Sequence, residues 1–119
     1  MAVPILKQGD VLIASIQSAL TDVDLVMLRD ALVEKVSNYR TRGVIVDVTA
    51  LDVVDSFASR TLRDLAHMIR LRGAETVIVG IQPDVAFAMV QLGLTLEDIA
   101  TALDLEEGLA FLSRPNQQR

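Results

Sequence analysis

The chain has 119 residues, of which 51% are hydrophobic and 23% charged, enough apolar surface for one folded domain with a full core and too much for an intrinsically disordered segment. Its net charge of −5, the lack of a basic run and an aromatic content of only 3% argue against nucleic-acid binding, which needs cations for phosphates and rings for stacking. There are no cysteines, which excludes disulfides, thiolate metal sites and a cysteine nucleophile.

The start of the chain has no basic stretch followed by an apolar one, and no apolar run approaches the ~20 residues that span a bilayer. A cytoplasmic protein without a membrane segment is expected. One domain is expected over residues 1–119, with 113–119 polar and frayed.

In chain order, Ile5–Lys7 and Val11–Ile16 read as strands joined at the turn signal Gly9-Asp10, which predicts an antiparallel hairpin. Thr21 or Asp22 can cap a helix over Val23–Tyr39, whose Leu25, Leu28, Leu32, Val36 and Tyr39 share one face. Val23, Val26 and Val33 lie off that stripe. Val44–Val46 is a β-branched run suited to a strand buried on both faces. Phe57–Arg72 reads as a helix with Leu62, Leu65, Ala66 and Ile69 inward, stopped by Gly73. Thr76–Val79 is a second buried strand.

Pro83 suits the first turn of a helix running to about Leu92 and ending at Gly93. Its Val85, Met89 and Leu92 are expected on the sheet. Phe87 and Val90 then point elsewhere, either into a second buried face or toward another subunit. Thr95–Ala100 is ambiguous, a short strand being one reading of it, and Asp104 can cap a last helix through Leu112. The alternation of strand and helix predicts an α/β domain: a mostly parallel mixed sheet with an antiparallel N-terminal edge and flanking helices.

Chemistry concentrates in the segment from Val46 to Phe57, which leaves a buried strand and enters a helix. Ligands of open α/β sheets bind beyond the carboxyl ends of the strands, and a helix N-terminus favours an anion. Ser56 meets both conditions. Position alone supports two readings. Ser56 can be an N-cap and nothing more, a role Asp55 could also fill, and composition favours this reading. Alternatively it accepts a phosphate. The connection from Val48 to Val54 is longer than the usual 2–6 residues and carries Asp52 and Asp55 near Ser56. A phosphate would add about −1.5 to −2 charge there and change what can dock.

Ser59 is either a second acceptor or a local hydrogen-bonding residue at the helix start. Thr49 and Asp47 are expected to hold the loop by hydrogen bonds. Asp52 and Asp55 could instead form a carboxylate pair for acid–base catalysis. His67 is the only histidine, which makes a metal site or catalytic triad hard to assemble. No Gly-rich phosphate loop is present.

Val46-Asp47-Val48-Thr49 followed by Leu51-Asp52-Val53-Val54-Asp55-Ser56-Phe57 resembles the signature of the STAS-domain family, which includes the anti-anti-sigma factors. Many of those factors follow Asp-Ser with a Ser/Thr and a Gly, where this chain has Phe57-Ala58. That departure is similar to the stressosome branch, the RsbS type. Gly80-Ile81-Gln82-Pro83, Gln91-Leu92-Gly93, Thr101–Leu109, Pro4–Lys7 and Ser15-Ile16-Gln17 are similar to it as well.

The resemblance implies a non-enzymatic scaffold and antagonist without cofactor. It implies co-assembly with RsbR-type paralogues and with further copies, and sequestration of an RsbT-type serine kinase. Phosphorylation of Ser56 would release the kinase, and an RsbX-type phosphatase would reset the site. Asp47, Thr49, Asp52, Asp55 and Phe57 would shape the loop and its partner contacts. The alternatives are a free anti-anti-sigma factor using the same serine, and a small acid–base enzyme using Asp52 and Asp55.

Overall fold

The computed structural model describes residues 3–114. Strand β1 (Ile5–Gln8) turns through Gly9, at φ +62°, into β2 (Val11–Ser15), and the two pair antiparallel. Helix α1 (Asp22–Asn38), β3 (Gly43–Asp47), α2 (Ser56–Leu71), β4 (Glu75–Val79), α3 (Pro83–Gln91), β5 (Ala100–Ala102) and α4 (Leu105–Ser113) follow. The sheet runs in the order β1-β2-β3-β4-β5, and every pair after the first is parallel.

The β-branched runs form strands buried on both sides: Val44, Ile45 and Val46 of β3 and Val77, Ile78 and Val79 of β4 are each 0% exposed. One face of the sheet meets α1, α2 and α3 through Leu28, Leu32, Leu65, Ile69, Val85 and Met89. The other meets α4 through Leu112, Leu105 and Leu109. Helix α4 sits close because two glycines leave room. A Cβ on Gly43 would come 2.6 Å from Leu112 Cδ1, and one on Gly108 2.8 Å from Val79 Cγ1.

Local signals set the helix starts. Thr21 caps α1 in a reciprocal capping box with Asp24, and Asp104 Oδ1 accepts from Glu107 N at 2.9 Å to start α4. Registers then place the ends of the parallel strands level, with Ser15 opposite Asp47, Asp47 opposite Val79 and Val79 opposite Ala102. The loops that leave those ends therefore gather at one edge of the sheet.

Several expectations need correction. Tyr39 is the C-cap of α1 and is 46% exposed, because the helix stops one position before Tyr39 could turn inward. Leu92 is 71% exposed, since it caps α3 while Gly93, at φ +72°, redirects the chain. The last strand is Ala100–Ala102, not 95–100. The segment before it is a loop with a turn over Glu97-Asp98, and Asp98 takes φ +69°. Ser113 belongs to α4, where its hydroxyl donates to Leu109 O at 2.9 Å. Residues 115–119 of the expected tail lie outside the described residues.

Candidate functional site

The site is built on the connection between β3 and α2. Asp47 ends β3, and its Oδ1 accepts from the Thr49 amide at 2.9 Å and from Thr49 Oγ1 at 2.6 Å. This small closed turn fixes the direction in which the chain leaves the sheet. The Val48 amide donates to Val79 O at 3.0 Å, and the Leu51 amide to Val48 O at 2.9 Å. Leu51 and Val54 are buried in the core, while Asp52 and Val53 between them face solvent. Two apolar anchors thus let a long loop hold one shape and present an acidic, apolar tip.

Asp55 caps α2. Its Oδ1 accepts from the Ala58 amide at 2.8 Å, and its carbonyl accepts from Ser59 N at 2.9 Å. Ser56 is therefore the first helical residue and not the cap. It is exposed, and among the described residues its hydroxyl has no hydrogen-bond partner. Phe57 is half-buried, and its carbonyl accepts from Thr61 Oγ1 at 2.9 Å. Ser59 lies beneath, 1% exposed, with its Oγ lacking a partner among the described residues. In this conformation the Ser59 hydroxyl is closed off from solvent.

Sequence reasoning missed the residues that brace the loop from the neighbouring strand. Gln82 Nε2 donates to Thr49 O at 2.7 Å and approaches Asp52 Oδ1 at 3.5 Å. Gly80 has φ +82°, and a Cβ there would collide with Thr49 Oγ1. The signal was present in Gly80-Ile81-Gln82-Pro83. Taken as a helix start at Pro83 and as part of the family resemblance, it implies no contact thirty-odd positions upstream.

A cavity of about 130 Å³ opens beside the loop, lined by Leu20, Leu25, Leu51, Val53, Asp55 and Ala58 among others. Asp52 and Asp55 both face solvent, and Asp55 is committed to the helix cap. Asp52 does not line that cavity, and Asp55, which does, already accepts the Ala58 amide, so the two do not form a sheltered carboxylate pair of the kind acid–base catalysis uses. His67 is exposed on α2, and no group of three or more metal-ligating side chains occurs among the described residues. No helix among them is long and apolar enough to cross a membrane.

A mostly parallel mixed sheet with a buried centre, an Asp-Ser pair at a helix start and a braced loop before it are the features of a domain of the STAS class. The model for the STAS domain matches residues 2–108, and the chain belongs to that family. Within it, the chain is similar to RsbS from Moorella thermoacetica carrying a serine-to-glutamate substitution. Identity is 34% over 92% of this chain and 93% of that one, with a TM-score of 0.80. A chain from a structure of the molecular architecture of the stressosome, a signal integration and transduction hub, is 33% identical over 92% of this chain and 95% of that one, at a TM-score of 0.74. The RsbT co-antagonist protein RsbRA of Bacillus subtilis is 29% identical over 82 residues, covering 69% of this chain and 30% of that protein. The chain thus matches under a third of that relative's length.

Proposed function

We propose that this protein is a non-enzymatic stressosome scaffold and antagonist that holds a serine kinase and releases it when Ser56 is phosphorylated. The observation that carries this reading is the exposed, unpartnered Ser56 hydroxyl at the first position of α2, with Asp55 already doing the capping. A serine needed as a cap would be engaged by the helix, whereas this one is presented to a partner.

In the proposed step the Ser56 hydroxyl attacks the γ-phosphorus of ATP held by an RsbT-type kinase. The O–P bond forms, ADP leaves, and the hydroxyl proton passes to the kinase's base. The product carries about −1.5 to −2 charge beside Asp52 and Asp55, so a surface that fitted the neutral serine meets repulsion and a desolvation cost. An RsbX-type phosphatase resets Ser56 by hydrolysis, water taking the phosphoryl group as inorganic phosphate and the serine hydroxyl being restored. Likeness to RsbRA and to a stressosome chain supports co-assembly with RsbR-type paralogues, and the cytoplasm, which holds ATP, is the compartment proposed.

Binding of the kinase to immobilised wild-type and Ser56→Glu protein tests this. Retention by wild type and at least a tenfold weaker hold by Ser56→Glu are expected. Equal retention by both would remove the release mechanism.

A further inference from the structure

Helix α2 carries an arginine whose position is unexplained by the fold. Arg60 is exposed, four residues after Ser56, and makes no ion pair or hydrogen bond among the described residues. Asp64, one turn further on, is exposed and spaced to pair with it, yet no such pair forms. Residues four apart share a helix face, and helical side chains lean toward the N-terminus. Arg60 therefore lies on the Ser56 face of the helix, one turn behind the serine.

The start of the helix is also only partly occupied. Asp55 takes the Ala58 and Ser59 amides through its carboxylate and carbonyl. The amides of Ser56 and Phe57 have no partner among the described residues. Gln82 and Asp52 meet on the loop side, so the negative groups near Ser56 are Asp52 and Asp55, and the nearest free cation on its own helix is Arg60.

We propose that Arg60 is a positioning residue for a phosphate on Ser56, holding it against the first turn of α2. This rests on the reading of Ser56 as the acceptor and deepens it. The phosphate would lie between the helix N-terminus and a guanidinium one turn behind it, a charge-assisted arrangement. Phosphorylation then tightens the start of α2 instead of melting it. The partner loses its hold because a fixed anion has been added to the surface, not because the loop has unfolded.

Phosphoserine inserted at position 56 during translation of the full chain, with and without Arg60→Gln, supplies the test. A ³¹P titration should place the second ionisation of the phosphate about 0.3 pH unit or more lower with Arg60 present than with Gln. Amides 57–60 should exchange more slowly after phosphorylation, and Arg60→Gln should abolish that gain. Titration at the same pH in both chains would overturn the proposal. So would an equal effect from Arg72→Gln at the far end of the helix, or faster exchange at amides 57–60. Because no kinase installs this phosphate, the result is independent of whether a kinase selects Ser56, which peptide mapping decides.

Discussion

At the scale of single residues, the two serines of the first α2 turn have opposite environments. Ser56 is exposed, and Ser59 is 1% exposed with no hydroxyl partner among the described residues. A buried hydroxyl left unpaired is destabilising, so Ser59→Ala should raise stability by about 1 kcal/mol, aided by alanine's helix propensity. Thr76 in β4 is in the same position, 4% exposed with Oγ1 unpartnered, and Thr76→Val keeps its shape without the hydroxyl. Urea unfolding checks both, and a lower midpoint for either would contradict the burial argument. Gly80 has the opposite sensitivity. Its φ of +82° and the collision a Cβ would make with Thr49 predict that Gly80→Ala costs about 2 kcal/mol or more. The same urea series reads this out, and a loss below about 0.5 kcal/mol would mean that the loop yields easily.

At the scale of elements, the β3–α2 loop is shaped by Asp47, by the buried anchors Leu51 and Val54, and by Gln82 from beyond β4. Most of the fold could be read directly, because β-branched runs and strong caps are local signals. The Asp47–Thr49 turn was also legible, being two residues apart. Gln82 was not, since its contact depends on β3 and β4 being neighbours. Nor was the division of labour between Asp55 and Ser56. Both residue types cap helices, and only the backbone settles which one lies outside the helix. The misplaced β5 has a similar cause. Thr95–Ala100 has strand-like composition, but Leu94 and Leu96 pack under α3, Ile99 is buried in the core, and the chain turns at Asp98 before pairing with β4. The cap assignment makes a direct prediction. Asp55→Ala should cost about 1 kcal/mol and lower helicity at the start of α2 by amide exchange, whereas Ser56→Ala should leave stability within about 0.5 kcal/mol. A larger loss from Ser56→Ala would return the capping role to the serine.

At the scale of the molecule, the parallel arrangement puts the starts of all the helices at the same end as Ser56. Asp22, Asp24, Asp55, Asp84, Asp104, Glu106 and Glu107 cluster at those starts, and Lys35 and Arg70 sit in last turns. These charges complement the helix dipoles and at the same time make the Ser56 end acidic. A partner that docks there should present cations, so its association should weaken steeply as salt rises from 50 to 300 mM; affinity unchanged by salt would contradict an acidic docking end. Away from that end, Phe87 is 65% and Val90 78% exposed on α3, which resolves the sequence-level choice against a second buried face within this chain. The central claim is most directly tested by incubating the protein with the proposed RsbT-type kinase and ATP, then mapping phosphopeptides. One phosphate on Ser56, none on Ser59 and none in Ser56→Ala protein is the result predicted; equal incorporation into Ser56→Ala protein would contradict it.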